Sequence, residues 1–384
     1  MHIVSNLRNR YKKMRKCLSI IRHRVDYVNQ VTYYPDDERK TPKEILKDYL
    51  WIVWKYGEVE PFYFTYGFDR KEMTRERMAA EYLIPYKQFQ RKINYLNFQN
   101  PRYNKFQGKM TGRVITADKF YFNVFLERFG IPTPKVFCFV KDKKTLYFDS
   151  QFSIDISKNS LEQLKSFFSN DMDAFCKPTE GQLGNGAFAL RIHEGKIYVN
   201  NEETTIDKLM ETIMSDDYLV QERISQHEKM AELCPSTINT IRLHTVMDQE
   251  GNVHPFGALL RIGRLGSSVD NWAKGGILMG IDMEKGCLKK KGFLKPGYGT
   301  TTEYHLDTKV KFDGFVIPYF QEAVEAAIKL HKYLYRCHSV GWDITITENG
   351  PMFIEGNGWW EISGIQAVQG GMKKQIEKYF NINN

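Results

Sequence analysis

The sequence predicts an α+β protein with a mostly helical front section. Three observations carry this. Up to about residue 110, apolar side chains recur at helical spacing. After Asn100-Pro101, short β-like runs mix with helical stretches. Near residue 350, two apolar runs flank Glu348-Asn349-Gly350, a turn signal that makes at least part of the sheet antiparallel.

Residues 1–30 place Ile3, Leu7, Tyr11, Met14, Leu18, Ile21 and Val25 three or four positions apart among many Arg and Lys. That is an amphipathic helix with a basic polar face. The plain expectation is that its apolar stripe packs on the core; the functional one is contact with a membrane surface or polyanion. Thr41-Pro42 opens a helix over residues 43–57, with a capping residue followed by proline in the first turn. Residues 72–97 carry a second helical stretch. Asp118 to Phe129 is helical and ends at Gly130-Ile-Pro-Thr-Pro134. Strands are expected over Val136 to Val140, Ala174 to Lys177, Ala187 to Ile192, Tyr218 to Glu222, Thr237 to Met247 and Val253 to Ile262. Phe315 to Tyr335 has the length of a helix, and Trp342 to Thr347 and Pro351 to Glu355 form the last hairpin. The expected domains are a basic, aromatic-rich region over 1–110 and an α+β domain over 111–384. The latter divides into a small lid-like part at about 135–225 and a C-terminal part at about 226–384.

The 384 residues are 42% hydrophobic and 26% charged, a globular composition with material for a sizeable core. Lys and Arg outnumber Asp and Glu 55 to 46, a net charge of +9. Such a chain tends to meet polyanions, namely nucleotides, nucleic acid or an anionic membrane. The most apolar stretch, Tyr49 to Trp54, is far below the roughly 20 residues of a membrane span. The first residues lack a secretory apolar region. The six cysteines are scattered without a CxxC, as in reduced proteins of the cytoplasm. Cytoplasmic location, with contact at the inner face of the membrane as the functional reading of the basic helix, is the expectation.

Three constellations carry chemistry. Lys177-Pro-Thr-Glu-Gly181-Gln-Leu-Gly184-Asn-Gly186 lies between two expected strands. Glycines let backbone N–H groups approach phosphate oxygens, and the lysine adds a point charge. No GK[ST] follows and no helix opens after the glycines, which excludes a Walker loop and a dinucleotide fingerprint. A plain glycine-rich hairpin is the competing account. Tyr218-Leu-Val-Gln221-Glu222 would, if it lined a nucleotide cleft, offer its backbone to a base edge. The third, Gly341-Trp-Asp343 with Glu355-Gly-Asn357, is the most telling. The turn brings Asp343 beside Glu355, and strand alternation puts Glu355 and Asn357 on one face. Two carboxylates and an amide oxygen are hard ligands suited to Mg²⁺ held together with phosphates. Arg242 and Arg261, on neighbouring expected strands, would neutralise phosphate charge if they point into the same cleft.

In this order, the pieces resemble the ATP-grasp superfamily. More narrowly, Gln221-Glu-Arg-Ile-Ser-Gln-His227, Asn239-Thr-Ile-Arg242, Gly341-Trp-Asp-Ile and Gly350-Pro-Met-Phe-Ile-Glu-Gly-Asn357 resemble the sugar-transfer-associated ATP-grasp proteins over roughly residues 110 to 375. The front section matches only through Tyr66-Gly67-Phe68. The resemblance implies the ATP-grasp fold, two α+β subdomains clasping ATP. It implies Lys119 and Lys177 on the ATP phosphates, with Gly181, Gly184 and Gly186 in a loop over them. It implies Gln221, Glu222, Arg223 and Ile224 around adenine, with His227 as a ribose candidate beside Glu222 and Gln226. Asp343, Glu355 and Asn357 would hold Mg²⁺, and Arg242 would steady the phosphates, with Arg261 beside it as a second catalytic arginine.

The activity this implies is an ATP-dependent carboxylate–amine ligase acting through an acyl phosphate on small-molecule or glycan substrates, in polysaccharide biosynthesis and without nucleic acid. The alternative on the same scaffold is a kinase acting on a hydroxyl, with His227, His244 or Asp270 as base. A non-catalytic polyanion- or membrane-binding module is a third reading, but it leaves the carboxylate hairpin without a use.

Overall fold

The computed structural model describes residues 2–98, 113–141, 144–148, 154–155, 161–180, 185–267 and 269–380. Two antiparallel sheets organise it. The first has eight strands: β1 (Val136–Lys141), β2 (Lys144–Phe148), β3 (Ile154–Asp155), β4 (Met172–Pro178), β5 (Phe188–His193), β6 (Lys196–Val199), β7 (Glu202–Thr204) and β8 (Tyr218–Glu222). Their order is β3-β2-β1-β8-β4-β5-β6-β7. The second has seven: β9 (Thr240–Met247), β10 (Val253–Ile262), β11 (Ile277–Asp282), β12 (Cys287–Phe293), β13 (Thr301–Thr302), β14 (Ser339–Thr347) and β15 (Gly350–Asn357). Their order is β13-β12-β11-β10-β9-β14-β15. The antiparallel last hairpin is therefore one pair in a wholly antiparallel sheet.

Alternation divides each sheet into two faces. One face of the eight-stranded sheet packs Cys138, Val140, Ala174, Cys176, Leu190 and Val220 against helices Leu161–Phe167 and Ile206–Ile213. The opposite face carries Phe139, Lys177, Leu219 and Gln221, since Lys177 pairs with Leu219 and Phe139 with the same residue. Phe120 stacks on Phe139 there, centroids 4.5 Å apart. In the seven-stranded sheet, Ile241, Leu243, Leu260, Met279, Trp342 and Ile344 face helix Phe320–Tyr333 and helix Lys119–Arg128. The latter is capped by Asp118, which accepts from the N–H groups of Phe120 and Tyr121.

The other face of that sheet joins the front section in one core. Tyr63, Tyr66, Phe68, Phe62, Ile93 and Phe89 share a cluster with Val246, Phe256, Leu259, Leu278, Trp272 and Trp360. Phe62 stacks on Trp272 at 5.6 Å. The buried Asn97 ties the two parts: its amide nitrogen donates to Ser339 O at 2.8 Å and Gly358 O at 2.5 Å, and its oxygen accepts from the N–H groups of His338 and Ser339. The aromatic-rich front section is thus a wall of the larger sheet, because its apolar surface has no other face to be buried against. The boundary near 110 lies outside the described residues.

Three expectations change in detail. The helix opened by Thr41 runs Pro42–Tyr56 with the full reciprocal cap between Thr41 and Glu44. The stretch 72–97 is two helices, Arg75–Glu81 and Tyr86–Phe98, separated at Pro85, whose ring cannot continue the first. The 315–335 helix starts only at Phe320, after Tyr319 in the left-handed region. A fourth expectation holds only in part: the first helix, His2–Arg22, packs on the domain, but not through its apolar stripe. Leu7, Tyr11, Met14, Leu18 and Ile21 are all exposed, as is Val25 in the short helix Arg24–Val28 that follows, and only Ile20, off the stripe, is fully covered. The helix is held through Ile20 and Cys17, which join the front-section core, and through Lys13 and Lys16, which donate to the carbonyls of Trp54 and Gly57 at 2.7 Å each. The Ile3 side chain lies outside the described residues.

Candidate active site

The centre of the site is built on three adjacent strands of the larger sheet. β9 places Arg242 opposite Asp343 of β14, and β15 places Glu355 opposite the same Asp343. Asn357 pairs with Gly341 two positions along, so Asp343, Glu355, Asn357 and Arg242 share one face. Trp342 and Ile344 point to the other face and anchor the hairpin in the core. Arg261 reaches in from β10, on the same face as Leu259, which pairs with Arg242.

Asp343 is almost fully buried. Arg242 meets it with two nitrogens, Nε on Oδ1 and Nη2 on Oδ2, the latter at 3.0 Å. Arg261 Nη2 adds a third bond to Oδ2 at 3.1 Å. Burial alone would push the Asp343 carboxyl up, but the two guanidinium groups outweigh it and hold it well below the usual range. Arg261 Nε also lies 3.5 Å from Oδ2 of the buried Asp270. Burial opposes the Arg261 charge, yet Asp270, Asp343 and Glu355 together hold it firmly protonated. Glu355 goes the other way from Asp343: its recessed position and then the neighbouring Asp343 charge push its carboxyl up. Asn357 Nδ2 donates to Glu355 Oε1 at 3.2 Å.

The second half comes from the smaller sheet. Lys177 stands near the end of β4, buried, on the face that carries Gln221. Burial pushes its ammonium down to about 8, offset in part by Glu355 and Asp343 and reinforced by Lys119. These charges are therefore close enough to act on one another across the two sheets. Lys119 opens its helix beside the same strand end, its N–H donating to Thr179 O at 3.2 Å. Gln221 is 2% exposed, and its Oε1 has no hydrogen-bond partner among the described residues. A buried acceptor left open on the face that bears Lys177 is a signal for a ligand.

The remaining residues named from the sequence have distinct places. Gly186 has φ +74°, and a Cβ there would come within 3.0 Å of Pro178 and 3.1 Å of the Tyr218 hydroxyl, which donates to Gly186 O at 2.9 Å. That close approach requires glycine. Gly181 and Gly184 lie outside the described residues. Glu222 N–H donates to Lys135 O at 2.9 Å, and its carboxylate accepts from Lys135 N–H at 2.8 Å, so it fastens the entry to β1. Arg223 is exposed and faces Asp173 at 3.4 Å. Ile224 is half-buried just beyond. His227 caps helix Glu228–Leu233 with Nδ1, which accepts from Lys229 N–H at 3.0 Å. Gln226 is occupied with Cys234 O, Thr237 O and Asn239. His244 is buried against Trp360 at 4.1 Å, and burial then Arg242 push it down to about 3, so it is a neutral core imidazole. Sequence reasoning gave Asp270 only a marginal role; its pairing with Arg261 depends on a loop after β10 whose course no local pattern reveals.

The residue types fit a hard divalent cation: the Glu355 carboxylate with the Asn357 amide alongside, and Asp343, whose oxygens also accept from Arg242 and Arg261. Among the described residues, no group of three or more His, Cys, Asp or Glu is arranged to hold a metal ion.

No curated protein matches the chain. Among solved structures, it is similar to N5-carboxyaminoimidazole ribonucleotide synthetase in its ADP complex (12% identity, 68% of this chain, 53% of that one, TM-score 0.37). It is also similar to the VanG D-Ala:D-Ser ligase from Enterococcus faecalis (13%, 71% and 63%, TM-score 0.39). A third is the L-amino acid ligase from Bacillus licheniformis (12%, 80% and 56%, TM-score 0.37). The match thus spans between about half and two thirds of these proteins. A family profile described as sugar-transfer associated ATP-grasp matches residues 97–379, which take in both sheets and every residue of the carboxylate–arginine cluster. The chain belongs to the sugar-transfer associated ATP-grasp family, and its fold is the ATP-grasp fold with a helical front section.

Proposed function

We propose that the protein is an ATP-dependent carboxylate–amine ligase acting on a small-molecule or glycan carboxylate in cell-surface polysaccharide synthesis. The observation that carries it is the pairing of buried Asp343, clamped by Arg242 and Arg261, with half-buried Glu355, within electrostatic reach of Lys177 and Lys119. An anionic centre walled by cations on both sides suits a polyphosphate and its counter-ion, and the family membership supports ATP as that polyphosphate.

Glu355, Asn357 and Asp343 would hold Mg²⁺, which neutralises phosphate charge during transfer. Lys177 and Lys119 would grip the phosphates, with the loop at Gly186 closing over them. Gln221 would use its open buried oxygen for the base. Glu222 and Arg223 already spend their N–H groups on Lys135 and Asp173, so backbone contacts to adenine would start from Ile224. A substrate carboxylate oxygen attacks the γ-phosphorus, the bond to the bridging oxygen breaks, and ADP leaves. An amine then attacks the acyl carbon, and phosphate departs with the C–O electron pair and takes up the amine proton. No side chain becomes a nucleophile. The chain's share is orientation and charge: Arg242 and Arg261, fixed by Asp343, supply cationic surface that need not reorganise during the reaction.

The kinase reading keeps one base. His244 is shut in the core and His227 is a cap, which leaves Asp270 beside Arg261. The experiment is ADP release with Mg²⁺ over a panel of sugar acids and amino acids, with hydroxylamine present. A hydroxamate matching the ADP supports the ligase. ADP without hydroxamate, with a phosphorylated hydroxyl, supports the kinase and overturns the proposal.

A further inference from the structure

The first helix is inverted relative to an ordinary surface helix. Two of its three lysines, Lys13 and Lys16, bond the protein, while Leu7, Met14 and Ile21 alternate with Tyr11, Leu18 and, in the short helix Arg24–Val28 that follows, Val25 along an outward stripe. The spacing of four and three residues is a heptad seam, with Tyr11, Leu18 and Val25 in one core position and the other three in the second. A second copy of the chain would be the first partner to consider. The flanking positions argue against it. Arg8, Arg15 and Arg22 line one edge and Arg10 and Arg24 the other, all exposed. There is no Asp or Glu before Asp26. Two such helices, parallel or antiparallel, would set arginine against arginine along the seam. An exposed apolar stripe flanked on both sides by arginine instead complements an apolar interior beneath an anionic surface.

We infer that the helix His2–Arg22 seats the protein on an anionic lipid surface, with Leu7, Tyr11, Met14, Leu18 and Ile21 entering the acyl boundary and Arg8, Arg10, Arg15 and Arg22 meeting phosphate headgroups. From Leu7 to Ile21 the stripe runs about 21 Å, long enough to lie in the interface plane. No helix among the described residues is long and apolar enough to cross a membrane, so this is a peripheral contact. The inference stands apart from the catalytic reading, since none of these residues belongs to the site.

The test is co-sedimentation of the full chain with phosphatidylcholine vesicles, with and without phosphatidylglycerol, together with sedimentation velocity of the protein alone. Because the altered side chains are exposed, Met14→Ser/Leu18→Ser and Arg8→Glu/Arg15→Glu/Arg22→Glu are expected to keep the melting curve. Each surface arginine near such a membrane is worth about fivefold in binding, so the charge-reversed chain should lose at least about a hundredfold. The serine variant should lose at least about tenfold through lost apolar burial. Wild-type binding should need phosphatidylglycerol and weaken in salt. Absence of binding by the wild type, or wild-type binding by both variants, overturns the inference. So does a dimer that the serine variant dissolves while vesicles are ignored, which would assign the stripe to a second copy.

Discussion

Asp343 and Lys177 are both buried charges in one cleft, and the fold treats them in opposite ways. Asp343 sits on the larger sheet with two guanidinium groups bonded to it, and it stays ionised against the cost of burial. Lys177 sits on the smaller sheet, where no carboxylate among the described residues comes within ion-pair distance, and burial drives its proton affinity down. The first arrangement is complete as folded. The second is unfavourable as folded and improves only when an anion arrives. The difference teaches which charges serve architecture as well as chemistry and which serve binding alone.

The largest effect expected on that basis is from Asp343→Ala. It strands two arginines whose side chains are only 18% and 22% exposed, so chemical denaturation should show a loss of about 3 kcal/mol together with loss of turnover. A stable, active variant would mean that the clamp is incidental. Glu355→Gln separates the roles. Removing a carboxylate whose charge is disfavoured beside Asp343 should leave stability unchanged or higher, while ADP release falls at least about a hundredfold.

Lys177→Met is the mirror image of Asp343→Ala. It removes a charge the folded state resists, so melting temperature should hold or rise at neutral pH. ATP binding by calorimetry should weaken about tenfold or more, whereas Lys196→Ala, on an exposed position of β6, should change neither. Equal effects from the two lysines would reduce the claim to bulk charge. A smaller, titratable consequence follows. The folded chain holds the Lys177 proton below about pH 8 and loses it above. Phosphate binding favours the charged form, so ATP affinity should fall as pH rises past 8, with proton uptake on binding there. Lys177→Arg should abolish this step. The smallest effect is for Tyr218→Phe, which removes the bond to Gly186 O and loosens the loop end; about 1 kcal/mol, or fivefold in KM for ATP, is the scale.

Much of this was legible in the sequence where local pattern and chemistry coincide. β8 and β10 run as expected, and the turn at Glu348-Asn349-Gly350 already implied that Asp343 and Glu355 face each other. What was hidden depends on contacts distant in sequence. Nothing near Arg242 or Arg261 reveals that both close on Asp343, 101 and 82 residues away. Glu222 looked like a ligand carboxylate because its bond to Lys135 crosses 87 residues. The stripe of the first helix was expected inside because amphipathic helices usually bury their apolar side; here Ile20, Cys17 and two lysines that meet carbonyls form the inward face, and periodicity cannot tell which side has a partner.

The central claim is that this cleft transfers the γ-phosphoryl group to a carboxylate. It is tested most directly with an ¹⁸O-labelled carboxylate substrate and mass analysis of the phosphate released. An acyl phosphate that is then opened by an amine leaves one carboxylate oxygen in each phosphate, so the account predicts one ¹⁸O per phosphate formed with the wild-type chain and no labelled phosphate with Glu355→Gln. Unlabelled phosphate from an active wild-type chain would contradict it.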